Sequence, residues 1–584
     1  MKFIITILAT SLLIFSCGDK SNESSKSTGN GTGNQSTGTA TAAGGTTAGG
    51  ASGTSGAAGS TAGATASGGT GSTSAGTGTT GSTAGGTGTS KPPENTKFSK
   101  GPYGIGVKDI LGEWTVATLD GDFEFKKHFD GSESYFFVMY AGTHNYSKAL
   151  WGSSFANFIK ATPKNVRLFL LSYNSTFKKD LEDQKKRFLN DIKSLDQKTQ
   201  DHFKERVHFV VEDARKIKGA LGDVIRKRPG LFFGLDRNQR IRELGSLSYM
   251  NSPPAFQWMA KEAEFFNFEI EREKKLNTKA KIVKAMDNFI HKGGWGSTHS
   301  STFDVELPAK NDIEKYDTLL VDFDMSCEDH LDKNCPDWDH TARLFLCRKD
   351  DEKKCDLEVA RWITTYKREG RWVTDISPVL ALFGEGGKRK FRYTSPNKNS
   401  LVLNFRFSNE GKGMRPVAFQ EIFKGGSFNQ EYNKKQKQLT FKNDGSFKKV
   451  ETYAILTGHG WGKDVDNCAE FCNHVHFITL NSKEKFMREH KIAGQTYGCM
   501  NQVNNGVVPN QYGTWILGRG GWCPGMDVLP WREDLTKALV SGENTLDYKA
   551  LFKGTDYTPV PHPNANKQGL NASISLNSYL IFWK

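Results

Sequence analysis

Three stretches of this 584-residue chain set an ionisable side chain beside a tryptophan or inside a cysteine-bounded loop. They are Cys335-Pro-Asp-Trp-Asp339, Gly458-His-Gly-Trp-Gly462 running on to Asn467-Cys-Ala-Glu-Phe-Cys472, and Arg519-Gly-Gly-Trp-Cys-Pro-Gly-Met526. Asp339 and Glu470 can take or give a proton, Arg519 can steady negative charge, and Trp338, Trp461 and Trp522 offer flat faces to a ring. The combination suits a site where an aromatic face holds a sugar while fixed polar groups act on a bond. Singly, each residue has an ordinary explanation. An Asp after a Trp in a cystine loop is commonly a turn residue, Glu470 could serve only to pair with Arg519, and tryptophans in sandwiches mostly fill cores.

Of nine cysteines, eight lie after residue 326: Cys327, Cys335, Cys347, Cys355, Cys468, Cys472, Cys499 and Cys523. An even number in an exported chain reads as a disulfide framework. Sequence proximity suggests Cys327–Cys335, Cys347–Cys355, Cys468–Cys472 and Cys499–Cys523, although spacing alone leaves connectivity open. Cys468-x3-Cys472 also has tolerable zinc spacing. His474 and His476 alternate onto one strand face, and His459 could join them as ligands for copper or zinc.

The elements that must position these residues fall into two textures. Between about 99 and 276, strand-like runs at Glu133–Tyr140, Val166–Tyr173 and Arg206–Val211 alternate with helical periodicity at Ser147–Ala161, Leu181–Leu195 and Leu221–Arg226. The hairpin-like pair Gly230–Arg237 and Ile241–Gly245 closes the set, and the order predicts an α/β layer fold. After a connecting helix or linker at 277–302, short β-rich runs separated by Gly, Asn, Asp and Pro turns predict two antiparallel sandwiches, 303–426 and 427–584.

The first 98 residues predict export and tethering rather than a core. Met1 to Ser16 form a short apolar signal segment, too brief to span a bilayer, and Leu13-Ile-Phe-Ser-Cys17 resembles a bacterial lipobox. Lipidation at Cys17, or simple secretion, follows, with the bacterial cell envelope as the expected location. From 18 to 98 the chain is largely Gly, Ser, Thr and Ala, which cannot bury enough surface to offset backbone ordering. A coil of this kind spans roughly 45 Å between its ends. The net charge of +14 is spread over mixed-sign runs, so a solvated surface is expected and nucleic acid is not.

Taken together and in order, the three motif segments resemble the peptide-N-glycosidase F family over about 303–584. The resemblance implies paired jelly rolls and hydrolysis of the amide between asparagine and the first GlcNAc of N-linked glycans, leaving aspartate. It places Asp339, Glu470 and Arg519 in the catalytic centre, with Trp338, Arg406, Glu410, His459, Trp461 and Trp522 toward the substrate. His459 falls where the family has a tryptophan, and Arg406 stands where it has a third acid, with Glu410 four residues on. The resemblance accounts for six of the eight cysteines, implies no metal or other cofactor, and fits a monomer acting on N-glycosylated proteins or peptides. A weakened N-glycan-binding module and a copper monooxygenase on paired jelly rolls are the alternatives. The pieces at 99–276 resemble the thioredoxin and peroxiredoxin superfamily, but Ala141–Lys148 offers no thiol where that chemistry needs one, so a redox-inert spacer or docking module is expected.

Overall fold

A computed structural model describes residues 97–584 apart from 229, 250–251, 277–278 and 295–298. The expected signal segment, Cys17 and nearly all of the expected linker lie outside the described residues. Phe98, at the linker's expected end, is buried against Phe125 and Phe129 and belongs to the fold. Among the described residues, no helix is long and apolar enough to cross a membrane.

The α/β layer is built on Ser134–Tyr140, Val166–Ser172 and Val207–Asp213, which run parallel. Antiparallel strands flank them, giving a mixed seven-stranded sheet. Strands buried on both faces must be apolar at nearly every position, as Tyr135 to Met139 are. Phe136, Val138, Leu168 and Leu170 face one cluster, which includes Phe155, Phe188 and Met259. Tyr135, Phe137, Phe169 and Leu171 face the other, with Trp114, Phe125 and Val224. The stretch expected as one helix at 147–161 is two, Asn145–Trp151 and Phe155–Ala161, the second capped by Ser154 accepting from the Asn157 amide. The helix Gln257–Lys274 then packs Met259, Ala263 and Phe266 onto this layer.

The first jelly-roll sandwich pairs a four-stranded sheet with a five-stranded one. Thr318–Ser326 and Asn399–Ser408 alternate Leu319, Val321, Phe323 and Met325 with Leu401, Leu403, Phe405 and Phe407 into a core shared with Trp362 and Tyr393. The segment expected as a linker, 277–302, instead carries the edge strand Lys281–His291, paired with Asn399–Ser408, and the start of Ser300–Ala309. The second sandwich packs two four-stranded sheets. Its boundary also moves: Pro416–Ser427, expected to close the first sandwich, pairs with the terminal strand Leu570–Trp583 of the second.

Between the sandwiches lies a polar seam. Arg361 and Glu358 share two hydrogen bonds, 2.8 and 2.7 Å, with both side chains fully buried. Arg361 reaches across to Thr457 Oγ1 and Ser575 O, at 2.6 and 2.9 Å, and Arg343 to Ser575 Oγ at 2.8 Å. Buried charges persist when paired and hydrogen-bonded in this way. Disulfides join Cys327 to Cys335, Cys347 to Cys355, Cys468 to Cys472 and Cys499 to Cys523.

Candidate active site

Asp339 stands between the Cys327–Cys335 disulfide loop and the strand Thr341–Leu346. Its loop is fixed through backbone groups: Trp338 O accepts from Thr364 Oγ1 and Asn397 Nδ2, both at 2.9 Å, and the His340 amide donates to Thr364 Oγ1 at 2.7 Å. Glu470 is carried by the five-residue disulfide loop of the second sandwich, where its own carbonyl accepts from the Gly520 amide at 2.7 Å. Two separate loops, one from each sandwich, thus hold the two acids.

Arg519 lies between them. Its Nη2 is 3.6 Å from Asp339 Oδ2 and its Nε 3.4 Å from Glu470 Oε1. The guanidinium is only 1% exposed, and the two carboxylates 13% and 10%. Hydrogen bonds to Thr514 O (3.0 Å), Leu517 O (2.5 Å) and Thr514 Oγ1 (2.8 Å) anchor it, and it lies over the rings of Phe471 and Trp522, 5.1 Å from each centroid. A planar cation over aromatic rings, hydrogen-bonded to carbonyl and hydroxyl oxygens while two carboxylates stand beside it, is an arrangement arginine supports and lysine does not.

Burial raises the proton affinity of both acids. Glu470 is pushed up to about 7, burial and the nearby Asp339 outweighing Arg519. Asp339 is also raised, by burial, with Arg519 and Tyr366 opposing. Near neutrality the pair can therefore hold a proton and release it, which is what general acid–base work requires.

The remaining expected site residues divide. Trp522 donates its indole N–H to Gly458 O at 2.7 Å and stacks beside His459, ring centroids 5.4 Å apart, so it is a buried wall behind Arg519 rather than an open face. His459 meets Thr457 Oγ1 at 2.8 Å, and burial, aided by Arg361 and Arg343, holds its imidazole at about 3, hence neutral. Trp461 is half-buried at the end of the strand Lys449–Trp461. Trp338 is the open face, 51% exposed, its ring edge-on to Tyr366. Arg406 and Glu410 are not brought here. Asn397, just before the strand Asn399–Ser408, touches the Trp338 loop, and Arg406 lies roughly 23 Å beyond Asn399 along that strand at ~3.3 Å per residue, paired with Leu320 and Ile282. The Glu410 amide bonds Asp317 at that same far end.

Other residues complete the centre without having announced themselves in the sequence. Tyr366 stands beside Asp339 and its hydroxyl lies 3.2 Å from Thr514 Oγ1. Tyr512, facing Lys367, and Tyr497 add exposed aromatic surface. The α/β domain reaches the same loops. Arg368 donates to Glu262 and, at 2.7 Å, to Pro509 O, Asn510 Nδ2 donates to Glu262 at 2.9 Å, and the Ser246 amide to Asn510 O at 2.7 Å. Tyr249, from the same segment, lies close enough to Arg519 for that charge to act on its hydroxyl. A cavity of about 430 Å³ lined by Lys310, Arg348, Arg389 and Arg415 shares no residue with this centre.

Fold and centre define a double jelly-roll protein in which an acid from each sandwich meets one shared arginine. The profile of the family described as "Peptide-N-glycosidase F, C terminal" matches residues 427–581. The peptide-N(4)-(N-acetyl-beta-D-glucosaminyl)asparagine amidase F of Elizabethkingia miricola is 25% identical over 304 residues, 46% of this chain and 77% of the relative. Over that part of its length the chain is related to the peptide-N-glycosidase F family. Among solved structures, PNGase F, a glycosylasparaginase from Flavobacterium meningosepticum, aligns at 19% identity and TM-score 0.40, covering 52% of this chain and 96% of that one. PNGF-II aligns at 14% identity and TM-score 0.38, covering 54% and 67%.

Proposed function

We propose that this chain hydrolyses the side-chain amide joining asparagine to the first GlcNAc of N-linked glycoproteins or glycopeptides, releasing the glycan and leaving aspartate. The observation that carries the reading is the single guanidinium of Arg519 in ion contact with both Asp339 and Glu470. The reaction needs an activated water, stabilisation of a developing oxyanion and protonation of the departing nitrogen. In this reading Asp339 takes the proton from water or bonds the reacting amide, while Glu470, protonated near neutrality, orients the water or delivers a proton. Arg519 holds negative charge beside both acids. Trp338 offers its face to the core sugars.

Asparagine amides are surface features of a glycoprotein, and the half-exposed Trp338 sits where such a substrate could approach from solvent. Lipidation at Cys17 would tether the enzyme at the cell envelope, and the thiol-free α/β domain, thioredoxin-like in this reading, would act as a redox-inert buttress for the Tyr366 and Thr514 loops. Incubating the full chain with a denatured N-glycoprotein and weighing the peptides tests the proposal. Glycan loss with conversion of Asn to Asp is expected; retention of intact glycopeptide on the protein without conversion would make the chain a glycan-binding module instead.

A further inference from the structure

Behind the loops that carry Glu470 and Arg519, the second sandwich closes over three imidazoles. His474 and His476 alternate onto the inner face of the strand His474–Leu480, and His490 follows the neighbouring strand Glu484–Glu489, whose register sets Val475 opposite Glu489. The three are 0%, 0% and 5% exposed. One ligand atom from each lies within 4.8 Å of the others, and the ring centroids are 4.7 to 5.2 Å apart. His459, which the sequence suggested as a third ligand, is engaged elsewhere with Thr457 and Trp522.

The polar atoms of this cluster are poorly satisfied by protein. His476 Nδ1 meets the Tyr548 hydroxyl at 2.7 Å, which leaves its Nε2 as the nitrogen facing inward. That Nε2, the Nε2 of His490 and both ring nitrogens of His474 are buried without a hydrogen-bond partner. An unmatched buried polar atom is costly, and four in one place call for an occupant. The walls are glycine backbone: a Cβ at Gly458 would come within 2.5 Å of His474 Nε2, and one at Gly521 within 2.7 Å of His490 Cε1.

The geometry points to a transition-metal site formed by His474, His476 and His490, taking a late first-row ion, zinc or copper, whose affinity for neutral imidazole is high. Ligands about 2.0–2.1 Å from a tetrahedral ion lie roughly 3.3 Å apart, so small ring rotations from the present spacing close the site. Tyr548 supplies the outer hydrogen bond that fixes the His476 ring, a partner metal-bound histidines ordinarily have. Because Gly458 and the Gly520–Gly521 pair pack on these rings, the ion would tie the strand His474–Leu480 to the backbone on either side of Trp522. The inference stands independently of the amidase reading.

The test uses the untagged full chain, produced in media supplemented with zinc or with copper, dialysed, and measured for metal by mass spectrometry. About one equivalent of one of the two ions per chain is expected, with X-ray absorption showing a shell of imidazole nitrogens. His490→Gln and His476→Gln should each lower the bound metal several-fold, and adding the ion to metal-depleted protein should raise its melting temperature. If the variants do not fold, the wild-type stoichiometry and absorption spectrum decide alone. A wild-type chain that takes up neither ion and whose melting temperature neither ion moves, or one whose ion is bound by sulfur or by oxygen alone, would overturn the site.

Discussion

Asp339 and Glu470, on loops of different sandwiches, meet neighbouring nitrogens of one guanidinium, Nη2 and Nε, at 3.6 and 3.4 Å. The relationship is conditional on the seam: if the sandwiches separate, neither acid keeps its partner. Replacing Asp339 by Asn keeps shape and hydrogen-bonding capacity while removing the base. Glycan release should fall by about 10²–10⁴, with circular dichroism and melting temperature near wild type.

Arg519→Lys should lose both activity and stability. The lysine cannot reproduce the forked contacts to Thr514, Leu517 and the two acids, and leaving buried charges unpaired costs about 3–5 kcal/mol. Urea denaturation reads the second effect. A variant as stable as the parent would show that the guanidinium is not what holds the seam's acids.

Glu470 makes pH a diagnostic. Its folded value of about 7 exceeds the ordinary 4.5, so between those values the native state binds more protons than the unfolded one. Stability therefore falls as pH rises through that window. Asp332, at about 7, and Asp527, at about 6, bend the wild-type curve the same way, so the difference from Glu470→Gln reports Glu470 together with the Asp339 it is coupled to. The melting temperature of Glu470→Gln should match or trail the parent near pH 5 and gain on it by pH 8, and the parent's turnover should decline above pH 7 as the proton leaves.

Trp338→Ala should raise KM for glycopeptides more than it lowers turnover. Because the ring is half exposed, stability should change by no more than about 0.5 kcal/mol. A loss of stability with KM unmoved would assign Trp338 to the loop rather than to the sugar.

Arg368→Met removes the cation that joins Glu262, Asp332 and the Pro509 carbonyl across the α/β boundary. Two carboxylates would remain buried without it, a loss of about 3–5 kcal/mol. Proteolysis should then cut near Tyr366 and Thr514 sooner than in the parent, and turnover should drop although Arg368 touches neither acid.

Much of this was legible in the residues because the signals are local. The cystine loops, the Trp-Asp and Ala-Glu pairs, and alternating runs such as Leu319 to Met325 carry their geometry in their spacing. The edge strand Lys281–His291 was not, because two register shifts break its alternation and leave only Val283, Met286 and His291 buried. Arg406 and Glu410 were misplaced because a motif gives a strand but not which end of it faces the cleft. Tyr366 and Thr514 gave no sign, since an ordinary tyrosine and threonine become relevant only when separate loops fold onto Arg519. His490 was exchanged for His459 for the same reason: strand pairing, not spacing, chose it.

The strand Leu570–Trp583 lies inside its sheet, bonded to Pro416–Ser427 on one side and Lys449–Trp461 on the other. Until residue 583 has left the ribosome, those two earlier strands lack the strand that lies between them. The Asp339 half of the centre can thus be finished while the Glu470 half waits, and assembly of the complete cleft is timed by the arrival of its most distant strand.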